Sequence, residues 1–187
     1  MAHINHVSGV GRNRGISMLH IIDESFVILF LFSESQCNGG YKNFMPFQLP
    51  DPTTPFGQRV AKRLHEEPII WLTTIDSKGT PQPAPVWYWW DDEQQNILIY
   101  SKANAKREAH LRANPRVSLN FDGNKQGGDI IVLTGKVTFS NDPSADQHQR
   151  YVEKYSAFIK RSFGTPENFA QLYPVALRVQ PLNIRGF

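Results

Sequence analysis

The chain has 187 residues, with 20 Lys and Arg against 17 Asp and Glu and a formal net charge of +3. That length suffices for one domain with a real core; 40% hydrophobic and 12% aromatic residues exclude a disordered chain, and so small a net charge gives no case by itself for nucleic acid. One cysteine, Cys37, excludes an intrachain disulfide and a Cys-rich metal site, and fits a reducing cytoplasm.

Residues 1–44 read as an extension outside a domain at 45–187. The extension starts polar, with His3, His6, Arg12 and Arg14, and then carries one apolar run, Phe26 to Phe32. That run is far shorter than the roughly 20 residues of a membrane span. Ser33-Glu34-Ser35 after it is no clean signal-peptide cleavage site. One version of this reading is an over-long start, with translation beginning at Met45.

Thr54-Pro55 is a cap-plus-proline helix start, and the helix should run to about Glu67, where Pro68 ends it. Ile69 to Asp76 reads as a strand, turned by Ser77-Lys78-Gly79. Gln82 to Trp90 is a second strand, whose Pro83 and Pro85 place its early part at a sheet edge or a bulge. Ile97 to Ser101 is the third, followed by a helix that Asn104 could cap and Asn114-Pro115 stops. Arg116 to Asp122 is the fourth strand and Asp129 to Ser140 the fifth, with Gly135 as a bulge. Asp142-Pro143 should open a helix to about Phe163, and Thr165-Pro166 a short one to Leu172. Pro174 to Phe187 is the last strand. Six short strands joined mainly by hairpins predict a mainly β fold, an antiparallel barrel with flanking helices.

The informative charge lies between Lys102 and Arg116. Five cations (Lys102, Lys106, Arg107, Arg112, Arg116) face one acid, Glu108. Lys106 and Arg107 fall in the first turn of a helix, where the dipole is already positive and cations are disfavoured. Cations there await an anion, helped by free backbone N–H groups.

These residues carry a family resemblance. Tyr100-Ser101 followed by Lys106-Arg107, then Asn114-Pro115-Arg116-Val117-Ser118-Leu119, resembles the pyridoxamine 5'-phosphate oxidase-like superfamily of FMN-binding split barrels. Gly127-Gly128-Asp129 with the following strand, and the closing Ile184-Arg185-Gly186-Phe187, look more like its FMN- or F420-dependent reductase branch. The resemblance implies a six-stranded split β-barrel that forms a homodimer, with cofactor sites at the interface lined by both chains. It implies FMN or the deazaflavin F420 as cofactor, its phosphate on Ser101, Lys106 and Arg107, with Tyr100 and Lys102 beside it in the cofactor site, and its ring along Val86, Trp87 and Tyr88. Lys106→Ala is the sharpest test of that phosphate site, since losing one charge-assisted contact should cost roughly 1.5–3 kcal/mol. Arg112 or Lys125 could meet the longer polyanionic tail of F420.

The implied function is hydride transfer to or from a small planar or unsaturated molecule. No side-chain general acid stands out, and no metal motif appears. The chain departs from pyridoxamine phosphate oxidase itself: Trp89 stands where that enzyme has a basic residue, and its substrate-gripping side chains have no match between Pro143 and Phe163. Two alternatives stay open. One is an FMN-binding carrier or redox sensor without turnover; the other is a haem-binding barrel, for which only His110 and His148 offer an axial ligand. No nucleic-acid or membrane partner is expected.

Overall fold

The computed structural model describes residues 47–187, so the reading of residues 1–44 lies outside the described residues. Thr54 accepts the Gly57 N–H at 3.0 Å and Pro55 opens α1 (Pro55–Glu66), as the cap signal predicts. Seven strands come after it: β1 (Ile70–Ile75), β2 (Pro81–Val86), β3 (Trp89–Asp91), β4 (Asn96–Ser101), β5 (Arg116–Asn120), β6 (Ile131–Phe139) and β7 (Val175–Gly186). α2 (Lys106–Ala113) joins β4 to β5, while α3 (Gln149–Phe163) and α4 (Pro166–Leu172) lie between β6 and β7.

All pairings are antiparallel, in one sheet of order β2-β1-β5-β6-β7-β4-β3. The two end strands, β2 and β3, are neighbours in sequence, linked only by Trp87 and Tyr88. The chain itself thus draws the free edges together without hydrogen-bonding them, which makes the barrel split. Seven strands replace the expected six because the span 82–90 breaks at this link. The Tyr88 N–H leaves the ladder and donates to the Tyr155 hydroxyl at 2.8 Å. That hydroxyl shares its own proton between the carbonyls of Tyr88 and Pro68, each 2.8 Å away.

β2 carries Pro81, Pro83 and Pro85 opposite Ile75, Thr73 and Trp71. In-plane backbone direction alternates along a strand, so the β1–β2 bonds run through Gln82, Ala84 and Val86. The prolines fall on the outward row of an edge strand, where a missing N–H is tolerated. Gly135 is the expected bulge: the β6–β7 register shifts there, and a Cβ would sit 2.7 Å from the Gln180 carbonyl oxygen.

Inside the barrel, Ile97, Ile99, Leu119, Leu133, Leu177 and Val179 pack with Val60 and Leu64 of α1. Tyr88 joins them, and its hydroxyl lies 2.8 Å from the Arg63 carbonyl and 3.0 Å from that of Leu64, at the end of α1 where helix carbonyls lack partners. Trp90 is also core rather than surface, 2% exposed. A second apolar layer covers the outer face of β4 and β7. There Leu98, Tyr100 and Ala176 meet Tyr151, Tyr155, Ile159 and Phe169 of α3 and α4, so every residue of β4 is buried.

Asp142 does not open the helix after β6. Arg178 of β7 takes it in a two-point pair at 2.8 and 2.5 Å, and also reaches Asp91 at 2.8 Å and Asn96 at 2.7 Å. The Arg178 hydrogen bonds hold the Asp142 carboxyl down to about 2. A 3-10 turn (Ala145–Gln147) intervenes, and the His148 ring nitrogen caps α3 by accepting the Tyr151 N–H at 3.2 Å.

Two outcomes are expected from this packing. Tyr155→Phe strands the buried Tyr88 N–H and should cost about 1–3 kcal/mol, read as a lower urea midpoint at unchanged m-value. Lys154 lies with Nζ 4.0 Å from the Tyr88 ring centroid and no hydrogen-bond partner; burial takes its pKa down to about 8, with Glu67 opposing. Above that value the unfolded chain binds more protons than the folded one, so stability rises with pH. Tyr88, Tyr151 and Tyr155, raised by burial, reverse the trend above about pH 10. The melting temperature should therefore climb from about pH 8 to about pH 9.5, and Lys154→Met should flatten that climb.

Candidate functional site

A cavity of about 440 Å³ opens in the split. One wall is the end of β2 and the link: Pro85, Val86 and Trp87. The facing wall is the end of β4 and the turn beyond it: Tyr100, Ser101, Lys102, then Ala105 and Arg107 at the head of α2. Phe163, Phe169 and Tyr173, from the α3–α4 corner, form the third side. The opening has a backbone cause. β3 is only three residues long and pairs with Asn96, Ile97 and Leu98, so the end of β4 has no partner on that side.

The polar end of the cavity lacks internal partners. The Ser101 hydroxyl is buried and without a hydrogen bond, in a residue 2% exposed. Arg107 is half-buried and forms no ion pair with the described residues; burial pulls its pKa down, with Tyr173 opposing. No side chain caps α2. Asn104 is not the cap: it sits at φ +58, where Asn is among the residues that tolerate the left-handed region, and turns the chain so that Ala105 occupies the N-cap. An open helix N-terminus, a cation and an orphaned hydroxyl on one cavity wall form a site suited to a phosphate or similar anion.

The other end is aromatic. Trp87 stacks on Tyr155 with centroids 4.6 Å apart and planes 2° from parallel. Phe169 stacks on Trp87 at 5.4 Å and Tyr173 on Phe169 at 4.7 Å. Lys102 Nζ lies 5.4 Å over the Tyr173 ring. Tyr100 contributes its ring only; its hydroxyl donates to the Pro143 carbonyl at 2.7 Å, and burial raises its pKa to about 12.

Of the eight residues expected at the site, the structure brings together Val86, Trp87, Tyr100, Ser101, Lys102 and Arg107. Lys106 is exposed and does not line the cavity; one step round the helix from Arg107, it points elsewhere. Tyr88 does not line it either, and its backbone polar groups are engaged by Tyr155. Arg112 stacks over Phe139 at 4.1 Å and Lys125 sits in the exposed loop after β5, so neither lends charge to the cavity. His110 lies 3.0 Å from the Thr74 hydroxyl, and His148 caps α3 with its ring edge-on to Trp89 at 4.6 Å. Neither histidine lines the cavity. Sequence reading missed Pro85, Ala105, Phe163, Phe169 and Tyr173. The aromatic spacing was visible, but nothing local says that the α3–α4 corner folds back onto this pocket.

Residues 56–184 match the sequence family described as pyridoxamine 5'-phosphate oxidase, and the chain belongs to that family. No curated protein matches it in sequence. Solved structures share the split-barrel fold. An F420 reductase is 20% identical at a TM-score of 0.53, over 66% of this chain and 94% of that one. A conserved hypothetical protein, Rv2991 from Mycobacterium tuberculosis, is 19% identical at 0.54, over 74% and 88%. HutZ, the haem storage protein from Vibrio cholerae, is 14% identical at 0.50, over 69% and 92%. At such identities the likeness is one of fold. Among the described residues no helix is long and apolar enough to cross a membrane.

Arg107 lines the cavity and Lys106 does not. Arg107→Met should weaken FMN binding by roughly 1.5–3 kcal/mol, one to two decades, and leave riboflavin, which lacks the phosphate, unchanged. Lys106→Met should do less. Equal losses in isothermal titration would count against the assigned anion corner.

Proposed function

We propose that this chain is a flavin- or deazaflavin-dependent oxidoreductase acting on a small planar or unsaturated molecule. The observation that carries the reading is the pairing of an unsatisfied anion corner (Ser101, Arg107, the head of α2) with an aromatic wall in one cavity of a chain of this family. A flavin-type cofactor matches that division, with an anionic tail at one end and a flat ring at the other, and supplies hydride transfer when bound. Ser101, Lys102 and Arg107 hold the tail. Trp87, kept flat by Tyr155, walls the ring, and Phe163, Phe169 and Tyr173 leave an apolar slot in which a planar substrate is held close and water is excluded.

Among the described residues no His, Asp, Glu or Cys lines the cavity, which leaves the hydroxyls of Ser101 and Tyr173 and the Lys102 amino group as the side-chain proton donors nearest a bound substrate. The same observation favours a second reading, a cofactor-binding carrier or redox sensor without turnover. Pyridoxine phosphate is not the substrate in either reading, since Trp89 packs on His148 where that oxidase has a cation.

A second copy of the chain completes the site in this proposal. Phe158, 37% exposed and 5.9 Å from Trp87, and Leu172, 51% exposed, give that interface an apolar start. The test begins with the spectrum of the purified protein and titrations with FMN and F420. Micromolar binding of either, with sedimentation as a dimer and faster reoxidation by quinone or nitroaromatic acceptors, supports the enzyme. Binding without faster reoxidation supports the carrier, and binding weaker than about millimolar, roughly −4 kcal/mol, ends both readings.

A further inference from the structure

A different cavity, about 290 Å³, lies between the end of α1, β3 and the first turns of α3. Leu64 and His65 come from α1, Trp89 and Trp90 from β3, and Arg150 and Lys154 from α3. It shares no lining residue with the cavity in the split. Its lining contains two cations and no acid. Arg150 and Lys154 stand four residues apart on one helix, where like charges are neighbours and repel. Arg150 also falls in the first turn, where the helix dipole opposes it. Neither forms an ion pair with a described residue. The Lys154 Nζ is buried without a hydrogen-bond partner and lies over aromatic faces, Tyr88 at 4.0 Å and Tyr155 at 5.7 Å. Glu67, the acid whose charge reaches it, takes Arg63 at 3.0 Å instead. His65 is engaged by Asp92 at 3.3 Å.

An ammonium held out of water with no acceptor is unfavourable, and a bound anion relieves it. The other lining residues say what kind of anion. Leu64 and Trp90 are buried and form an apolar floor, while Trp89 is half-buried and presents an indole to the cavity. The volume sits at the lower edge of the roughly 300–1,000 Å³ of small-molecule sites, too small for a flavin or a nucleotide. We infer that this cavity binds a small aromatic carboxylate, with its ring against Trp89 and its carboxylate between Arg150 and Lys154. The inference does not rest on the flavin reading, because the two cavities have no residue in common. It has a proton signature. Burial holds the free Lys154 amine down at about 8, and a carboxylate beside it favours the charged form and raises it again. Above that value, binding therefore takes up a proton.

The test is isothermal titration of the full chain with benzoate, with benzamide as the neutral counterpart and acetate as the carboxylate without a ring. Benzoate should bind about tenfold or more tightly than either, a difference of about 1.4 kcal/mol. Lys154→Met and Arg150→Gln should each weaken benzoate by about fivefold or more. Arg150 is exposed, so its variant reports on the site even where loss of Lys154 disturbs the packing. At about pH 8.5, titrations in two buffers of different ionisation enthalpy should show proton uptake by the unaltered chain and none by Lys154→Met. Arg107→Met should leave benzoate affinity unchanged, which separates this site from the cavity in the split. Benzoate that binds no better than benzamide or acetate, binding without proton uptake, or binding lost in Arg107→Met and kept in the two α3 variants would overturn the inference.

Discussion

The structure depends on keeping a barrel open at one seam. A sheet whose two end strands are joined by two residues has every reason to zip shut, since unpaired edges are costly and adhesive. Here closure is blocked chemically on one side and by length on the other. β2 has no outward donors because of its three prolines, and β3 stops before the end of β4. The backbone groups released at the link are absorbed by a single side chain, the Tyr155 hydroxyl, which serves Tyr88 and Pro68 together. The seam therefore stays open without leaving those buried polar groups unpaired, and the cavity is the space it encloses.

The same seam organises the chemistry. One lip is aromatic and acceptor-bearing, the other basic and hydroxyl-bearing, because they come from the ends of different strands. Tyr155 serves both layers: its ring backs Trp87 on the cavity side while its hydroxyl secures the barrel side. Arg178 plays a comparable part at the opposite end of the sheet. It ties β3, β4 and the loop after β6 into one buried charge cluster. A buried cluster of this kind is weak evidence for net stability; its clearer effect is to fix where α3 begins, and with it the position of Tyr155.

Much of this was legible in the sequence, and the exceptions share a cause. Thr54-Pro55 and Thr165-Pro166 opened helices as read, Gly135 made its bulge, and Pro83 and Pro85 marked an edge, because each acts through its own backbone. Asp142-Pro143 carried the same signal as the other two and failed, because Arg178, distant in sequence, displaced the helix N–H groups as partner of that carboxylate. Asn104 failed as a cap because turning tightly from β4 into α2 needed a left-handed residue. The break at Trp87-Tyr88 was invisible because its cause is Tyr155. At the site, the residues flanking the strand ends were readable; the difference between Lys106 and Arg107 was not, since it depends on which way one helical turn faces.

The two-residue link sets a mechanical limit on the seam. Three Cα steps from Val86 to Trp89 can span roughly 11 Å at full extension, so the edges cannot part further at that apex. Farther from it no such leash applies, and the spacing of the two edges is set instead by the five hydrogen-bonded strands that lie between them in the sheet.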